Sequence, residues 1–399
     1  MFFRKFILAV FIAGTIISDV TAAAGTGFVE EEPEVDITEW FSLPEEERIK
    51  DKKDSDGAYL MTVSCTGDFT IGGDNYHHKD LFKSELEKHN GDINFTMTYV
   101  RDIFLDDDLT IVNFEGTLTD TKYVPSSKKE NDFLFNITPS AVSVLPDNGI
   151  EAVSLDNNHV RDHGDEGLED TKAALIGAGT IYSTPNEVGV FDYKDGLIQV
   201  AMLSFNCIDR YGTGFKKSKF ASEYDSEFLN HDTFEEAVCD RIRKVKEKYP
   251  LLIVSFHWGI EKKYSPTNNQ IRLGRMAVDA GADLVIGHHP HRLQPIECYK
   301  GVYICYSLGN FCFAGHNAPS DMTSIIFQAR YRVKGSSVSF KDFRVIPIRI
   351  SSVPKLNNFT PKPIEDGYTR DSVLNNTLKD KANIKNLEYA VTDFPLEWQ

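Results

Sequence analysis

A chain of 399 residues with 41% hydrophobic and 26% charged side chains has the composition of a globular protein and can bury a large core. Its formal net charge of −17 excludes a general nucleic-acid-binding function, because contacts with phosphate backbones need a basic surface. We therefore expect no nucleic-acid partner.

The first 24 residues have the layout of a secretory signal peptide. Arg4 and Lys5 precede an apolar run from Phe6 to Ile17, and small residues follow at 22–24. This run is shorter than the roughly 20 residues that a membrane span needs. We interpret residues 1–24 as a signal peptide, with an uncleaved N-terminal anchor as the alternative, and expect a secreted or extracytoplasmic protein.

Three further regions follow along the chain. Residues 25–57 are acidic and contain prolines, and we interpret them as a solvated linker. Residues 58–350 are predicted to form the folded domain. Residues 351–399 show little periodicity and are predicted to be a C-terminal extension that wraps the surface.

Within the domain, short β-branched or aliphatic runs alternate with helix-like stretches, which is typical of βαβ units and a largely parallel sheet. The predicted strands are 59–65, 109–113, 151–155, 198–204, 251–256 and 283–287. The predicted helices are 79–105 (broken), 139–148, 164–178, 232–248 and 268–280, the last starting at a Thr267–Gln270 capping box. After residue 293, the predicted strands 293–299, 302–308, 324–334 and 338–349 indicate an antiparallel layer.

The six cysteines contain no C-x-x-C pair, so a structural zinc knuckle is not expected. We interpret most of them as buried small hydrophobic residues. Export permits disulfides, and a bond within the group Cys298, Cys305 and Cys312 stays open.

Side chains that can bind metals follow five of the predicted strands. They are Asp68, then Asn113 and Glu115, then Asn158 and His159, then His257, and finally His288, His289 and His291. Because the carboxyl ends of parallel strands meet at one edge of a sheet, these side chains are predicted to form one site. Mixed nitrogen and oxygen ligands suit zinc, manganese or iron better than calcium. The number of ligands indicates two ions, an arrangement that serves phosphoryl transfer.

Each of these residues also has a purely structural interpretation. His257 alone would be read as a core histidine, Asp68 as a helix N-cap, and the run around Asn158 as a polar turn. Their common position at strand ends favours the shared site. In an extended backbone residues two apart face the same way, so His289 and His291 are predicted to be ligands and His288 to face away.

Longer ordered motifs give a resemblance to a known family. They include Gly67-Asp68, the stretch 113–115 (Asn-Phe-Glu), the stretch 154–167 around Asn158 and His159, and the stretch 257–311 with the three histidines. Together they resemble the CapA family of poly-γ-glutamate capsule biosynthesis proteins, within the calcineurin-like metallophosphoesterase superfamily. The resemblance covers roughly residues 60–350.

The resemblance implies a four-layer α/β/β/α sandwich around two divalent metal ions. It implies that Asp68, His257 and His291 bind one ion and that Asn158 and His289 bind the other. Glu115 would stand in the position of the bridging carboxylate. His159 would be a proton donor near the leaving group.

Two departures from the superfamily pattern bear on catalysis. Phe69 and Thr70 follow Asp68, where an Asp-x-His motif would place a ligand, and Asn-Phe-Glu replaces a Gly-Asp motif. Asp162 is predicted to orient His159 as part of the catalytic pair, with organisation of the turn before the predicted helix 164–178 as the alternative. The residues predicted to line the substrate site are Asn113, Trp258, Glu261 and Asn310. The alternative for Trp258 is a core position, and for Glu261 it is a cap of its loop.

These observations leave three functions open. The first is an exported capsule biosynthesis protein that hydrolyses an anionic polymer or phosphorylated substrate with metal-activated water. The second is a non-catalytic component that binds metal and polymer while membrane-bound capsule synthesis proteins act as partners. The third is an extracellular phosphoesterase unrelated to capsule.

Overall fold

The computed structural model describes residues 49–74, 81–128, 132–208, 224–379 and 387–398. The predicted signal peptide or anchor and the linker up to residue 48 lie outside these ranges. Among the described residues, no helix is both long enough and apolar enough to cross a bilayer.

The strands alternate with helices over the first two thirds of the described chain. The strands are β1 (Tyr59–Thr70), β2 (Gly73–Asp74), β3 (Leu109–Phe114), β4 (Thr117–Leu118), β5 (Phe135–Ile137), β6 (Ala152–Ser154), β7 (Ile181–Ser183), β8 (Gly189–Tyr193), β9 (Ile198–Asn206), β10 (Leu251–His257), β11 (Leu284–His288), β12 (Leu293–Tyr299), β13 (Val302–Leu308), β14 (Asn310–Phe313), β15 (Thr323–Lys334), β16 (Ser337–Arg349) and β17 (Lys362–Pro363). The α-helices are α1 (Leu81–Lys88), α2 (Arg101–Leu105), α3 (Gly164–Ala178), α4 (Ser226–Leu229), α5 (Phe234–Lys246), α6 (Asn268–Asp279) and α7 (Gly367–Ser372).

Two large mixed sheets contain most of the strands. The first sheet has the order β17-β16-β15-β1-β3-β6-β7, and β14 also pairs with the end of β1. The second sheet has the order β12-β13-β11-β10-β9-β8. In each sheet the central strands are parallel, namely β1, β3 and β6 in the first and β9, β10 and β11 in the second.

The two sheets face each other and helices cover their outer faces. Val63 and Ile111 of the first sheet pack with Ile253 and Ile286 of the second. Helices α5 and α6 pack on the outside of the second sheet, and α1, α2 and α3 lie on the outside of the first. The predicted four-layer α/β/β/α sandwich is confirmed.

The strand alternation alone predicted one largely parallel sheet, and this detail is wrong. The strands that end in metal-capable side chains are divided between the two sheets, with β1, β3 and β6 in one and β10 and β11 in the other. A hydroxyl–hydroxyl contact of 3.0 Å between Ser154 and Ser255 joins the two sheets below these strand ends. Hydrophobic periodicity identifies a buried strand but carries no information about which sheet it joins.

The predicted helices 164–178, 232–248 and 268–280 are present as α3, α5 and α6. The capping box of Thr267 and Gln270 is formed, since each side chain accepts a hydrogen bond from the backbone N–H of the other residue. The predicted helix 139–148 is instead two short 3-10 turns, Pro139–Val144 and Pro146–Asn148. Pro146 has no N–H to donate and therefore interrupts an α-helix.

The two ends of the described chain attach to the sandwich. Arg332 binds Asp54 and Asp56, so residues of the predicted linker contact the sheet. At the other end, Val373 and Leu378 enter the core between the sheets, and the backbone N–H of Val345 binds the carbonyl oxygen of Pro395. The C-terminal segment therefore supplies core side chains as well as covering sheet edges.

The predicted burial of the cysteines agrees with the structure for five of the six. Within the described residues Cys298, Cys305 and Cys312 are free thiols, and no disulfide forms in that group.

Two carboxyl groups, the buried Asp108 and the half-buried Glu151, lie at the other end of β3, away from the predicted metal ligands. Glu151 accepts a 2.8 Å hydrogen bond from the backbone N–H of Thr110, and Asp108 accepts one of 2.9 Å from that of Thr62. Burial raises the pKa of Glu151 to about 7 and that of Asp108 to about 6. Each of these groups is therefore protonated in the folded protein at a pH where the unfolded chain is ionised.

We expect Glu151→Gln to become more stable than the wild type as the pH rises. A raised pKa gives stability that is fully present below about pH 4 and is lost as the pH approaches 7, because ionisation then favours the unfolded chain. A glutamine can still accept the Thr110 hydrogen bond and does not titrate. The free energy of unfolding of Glu151→Gln minus that of the wild type, measured by urea titration, should increase by about 2 kcal/mol from pH 4 to pH 8. Glu87→Gln, at an exposed position, is the control and should show no such trend. A free-energy difference between Glu151→Gln and the wild type that stays constant with pH would contradict the prediction.

Candidate metal centre

Strand alternation in β3 turns Asn113 and Glu115 towards the space between the sheets. Leu109 and Ile111 face the second sheet and belong to the core between the layers. Residues two apart in a strand share a face, so Asn113 and then Glu115 continue that row. The backbone N–H of Glu115 binds the carbonyl oxygen of Phe69 on the neighbouring strand, which fixes the position of the carboxylate.

Asp68 reaches the same space through an irregularity in β1. Cys65 faces the second sheet and Phe69 faces the helices, and the pairing of β1 with β3 shifts register between Cys65 and Asp68. Without that shift Gly67, rather than Asp68, would face the second sheet. Bulges of this kind redirect side chains next to functional sites.

His257 and His288 lie side by side at the ends of β10 and β11. The two residues are directly paired in the parallel register. Leu284 and Ile286 face the first sheet, and alternation places His288 on the same side. The prediction that His288 faces away from the site is therefore wrong. Its Nδ1 lies 3.4 Å from Oδ1 of Asp68.

His289 and His291 reach the site through left-handed backbone conformations. Their φ angles are +93° and +51°, so the extended geometry that the sequence prediction assumed ends at His288. Such values are uncommon for residues other than glycine and occur often at functional sites. Nδ1 of His289 lies 3.1 Å from Nε2 of His257, and Nδ1 of His291 lies 3.0 Å from Oδ2 of Asp68.

Five of the predicted ligands therefore converge, namely Asp68, Glu115, His257, His289 and His291. Ligand atoms of Asp68, Glu115 and His257 all lie within 4.8 Å of one another. Oε1 of Glu115 is 3.8 Å from Nε2 of His257 and 3.9 Å from Nε2 of His159. Asn158 is next in the chain to Asn157, which donates a hydrogen bond to the carbonyl oxygen of Phe114, and its part in binding metal stays a prediction.

Several buried polar atoms of this cluster have no hydrogen-bond partner among the described residues. They are both carboxylate oxygens of Glu115 and both ring nitrogens of His288, and Oδ1 of Asn158, the residue before His159, is also buried without such a partner. An unsatisfied buried polar group costs about 1–3 kcal/mol, and more if it is charged. A divalent cation held by these oxygens and nitrogens would satisfy them, so the residues present fit a metal centre of zinc, manganese or iron type.

The close packing of buried carboxyl and imidazole groups shifts their pKa values. Burial is the main cause that raises the pKa of Glu115 to about 8, and the negative charge of the nearby Asp68 is the second cause. Burial alone would raise the pKa of Asp68 as well, but the imidazoles of His288 and His291 hold it well below its usual range. Burial, with His289 beside it, keeps the pKa of His257 well below its usual range. His257 is therefore neutral, which is the form that binds metals.

His159 and Asp162 form the predicted pair beside this cluster. Nδ1 of His159 lies 2.7 Å from Oδ2 of Asp162. Burial would lower the pKa of His159, but the Asp162 carboxylate raises it. Asp162 also accepts hydrogen bonds of 2.8 Å from the backbone N–H of Phe135 and 2.5 Å from Nζ of Lys128. Lys128 was missed by sequence reasoning, because it lies 34 residues away in a loop with no motif of its own.

Two of the predicted substrate-binding residues have other roles. Asn113 is fully buried, donates from Nδ2 to Asp68 at 2.9 Å and accepts from Asn157, so its amide positions a ligand rather than substrate. Trp258 is fully buried in the outer core, where its Nε1 donates to the carbonyl oxygen of Tyr306. Alternation explains this placement, since Trp258 follows His257 and faces the opposite side of the sheet.

Glu261 and Asn310 line a cavity of about 270 Å³ that opens beside His159 and His291. Oδ1 of Asn310 is 2.8 Å from Nδ1 of His291, so this residue also orients a predicted ligand. The remaining wall combines aromatic rings with basic side chains, namely Phe133, Phe135, Phe313, Lys262, Arg292 and His316. Lys262 and Arg292 thus bring positive charge to a wall that also contains the Glu261 carboxylate, on a protein that is acidic as a whole.

These features define a class of protein, a four-layer α/β/β/α sandwich with a buried carboxylate–histidine cluster where the two sheets end. The family model described as "Bacterial capsule synthesis protein PGA_cap" matches residues 62–315. The chain belongs to this family, as the sequence motifs predicted.

Two capsule biosynthesis proteins are similar to most of the chain. It is 29% identical over 350 residues to the PGA biosynthesis protein CapA of Bacillus subtilis (strain 168), which is 86% of this chain and 83% of that protein. It is 29% identical over 328 residues to the capsule biosynthesis protein CapA of Bacillus anthracis, covering 80% and 73% of the two chains. Among solved structures, the calcineurin-like phosphoesterase YfkN from Bacillus subtilis aligns with a TM-score of 0.42 at 15% identity, over 82% of this chain and 100% of that one.

Proposed function

We propose that this chain is an exported, metal-dependent hydrolase that takes part in building capsule or a related envelope polymer. The observation that carries the proposed activity is the set of buried oxygens and nitrogens of Glu115, Asn158 and His288 that have no partner among the described residues, beside Asp68 and the His159–Asp162 pair. Family membership and the capsule biosynthesis relatives support the biological setting.

The proposed substrate is an anionic polymer such as poly-γ-glutamate, or a phosphorylated compound. Lys262 and Arg292 at the cavity wall would attract negative charge, and Phe133 and Phe313 would contact the less polar part of the substrate. Export rests on the signal-like residues 1–24, and the proposed partners are membrane-bound capsule synthesis proteins.

Asp68, Glu115, Asn158, His257, His289 and His291 would hold the divalent ions. When bound, such ions activate water and stabilise negative charge on a substrate. His159 would donate a proton to the leaving group through Nε2, because its Nδ1 is already engaged by Asp162. Lys128 and the backbone N–H of Phe135 hold Asp162 in place, which keeps the imidazole directed towards Glu115 and the cavity.

Replacing His159 tests this assignment. We expect His159→Ala to lower kcat by roughly 10²–10⁴-fold on the best of three substrates, because the proton donor is lost. The substrates are p-nitrophenyl phosphate, bis-p-nitrophenyl phosphate and poly-γ-glutamate. Bound metal, measured by elemental analysis, should stay at the wild-type level. His231→Gln, in the outer layer beside α4, is the matched control and should keep wild-type kcat.

A second candidate is a non-catalytic component that binds metal and polymer. Thr70 favours it, because this buried side chain cannot supply the nitrogen ligand that an Asp-x-His motif would place two residues after Asp68. Tightly bound metal without turnover of any substrate would select this candidate. Phosphoesterase activity that depends on His159, in a cell whose capsule is unaffected by loss of the gene, would instead select a phosphoesterase unrelated to capsule.

A further inference from the structure

His288 is a fully buried histidine with an unusual environment. Neither of its ring nitrogens has a hydrogen-bond partner among the described residues. The neighbouring imidazoles of His257, His289 and His291 each make a contact with hydrogen-bond geometry, whereas the 3.4 Å contact between Nδ1 of His288 and Oδ1 of Asp68 leaves Nε2 of His288 unsatisfied. An imidazole that serves only as core packing normally binds a carbonyl oxygen or a carboxylate. The unsatisfied Nε2 of this buried imidazole therefore needs an explanation.

The direction of the His288 side chain is set by the strand that carries it. Its direct pairing with His257 places the two imidazoles on the same face of the second sheet, in line with Leu284 and Ile286. That face looks towards Asp68 on the first sheet, and Nδ1 of His288 lies 3.4 Å from Oδ1 of Asp68. His288 is thus directed into the candidate metal centre.

The contact with Asp68 does not explain the position of His288 if its only role is to orient the Asp68 carboxylate. A charge-assisted hydrogen bond between imidazole and carboxylate measures about 2.7–2.9 Å, and this contact is longer and lacks hydrogen-bond direction. Oδ1 of Asp68 already accepts a 2.9 Å bond from Asn113. The second ring nitrogen, Nε2, would still be unsatisfied if the Nδ1 contact were a hydrogen bond.

We propose that His288 is a metal ligand, and that it binds the same divalent ion as Asp68. The proposal rests on the proposed function only in requiring that this cluster binds metal, and it does not require catalysis. It adds a further imidazole to a set that already contains His257, His289 and His291. A set so rich in nitrogen favours zinc or ferrous iron over magnesium, which prefers oxygen ligands.

Two substitutions and the wild-type protein test the proposal. We expect His288→Phe, which keeps the volume of the ring, to weaken zinc binding by more than roughly 100-fold, beyond the 10–100-fold typical of a residue that only orients a ligand. His288→Gln, which offers an amide oxygen in place of a ring nitrogen, should retain part of the affinity. Zinc affinity is measured by competition with a chelator, and bound zinc by elemental analysis. His231→Gln is the control and should bind zinc like the wild type.

A second measurement decides the question if the His288 variants do not fold. Crystals of the full-length wild-type chain grown with Zn²⁺ should show a ring nitrogen of His288 about 2.0–2.1 Å from an ion that Asp68 also contacts. An ion held by Asp68, Glu115 and His257 with His288 beyond 3 Å would overturn this inference and leave the proposed function intact. Failure of the wild-type protein to bind zinc, manganese or iron would overturn both.

Discussion

Glu115→Gln should lose metal binding while the metal-free protein becomes more stable. Both oxygens of the Glu115 carboxylate are buried without a hydrogen-bond partner among the described residues, and burial raises its pKa to about 8. The carboxylate that would bind a cation is thus costly to keep in the folded chain without one. A neutral amide removes that cost and also the charge that attracts the metal.

The expected effects are large and opposite in sign. Metal affinity should fall by at least roughly 100-fold, because an anionic ligand at the centre of the cluster is replaced by a neutral one. In metal-free protein the free energy of unfolding at pH 8 should rise by about 2 kcal/mol. The gain should shrink towards pH 4, where both folded and unfolded wild-type chains carry a protonated Glu115. Chelator competition and urea denaturation measure the two effects.

Glu235→Gln provides a matched control. Glu235 is also buried, but it lies on α5 in the outer layer and pairs with Arg272. Its replacement should leave metal affinity at the wild-type value. Unchanged metal affinity in Glu115→Gln would remove Glu115 from the metal centre. Such opposition between stability and ligand binding is expected at sites where charges are buried for function.

Gly67→Ala should be among the most destabilising single substitutions in the chain. A Cβ added at Gly67 would lie 2.0 Å from the carbonyl oxygen of Gly309, which is backbone and cannot move aside as a side chain can. The same carbonyl oxygen accepts a 2.9 Å hydrogen bond from the backbone N–H of Asp68. Relief of the clash must therefore separate the ends of β1 and β14, where Asp68 and Asn310 are paired.

We expect Gly67→Ala to lower the free energy of unfolding by about 3 kcal/mol or more and to weaken metal binding in the molecules that remain folded. Gly177→Ala is the matched control. Gly177 lies within α3 and an added Cβ would meet nothing within 4 Å, so alanine should stabilise the protein by about 0.5–1 kcal/mol. Thermal denaturation of both variants measures the contrast. A Gly67→Ala protein as stable as the wild type would show that the two strand ends can separate without cost.

Much of the candidate site was predictable because strand ends are local features. The apolar runs before Asn113 and His257 identify buried strands, and the polar residues that follow must emerge at their carboxyl ends. The pair of His159 and Asp162 was likewise predictable, since both lie in one turn and the structure places their side chains 2.7 Å apart.

The errors arose where contacts between distant segments decide the conformation. Alternation continued through His289 and His291 predicts that His288 faces away, but the positive φ angles of His289 and His291 end the strand geometry and bring these two imidazoles to the site. Alternation from Ile286 to His288 brings the third imidazole to the same side. Lys128 could not be predicted, because only the folded chain brings its loop to Asp162.

The sequence by itself therefore determined the family, the order of most strands and helices, and the residue types that gather at the strand ends. Hydrophobic periodicity and ordered motifs are properties of single segments and can be read without the fold. Only the tertiary structure decided that the strand ends come from two facing sheets, that the register shift in β1 turns Asp68 towards His288, and that Asn113 serves the ligands. Register, sheet membership and left-handed backbone depend on packing between segments far apart in the chain, and no local pattern encodes them.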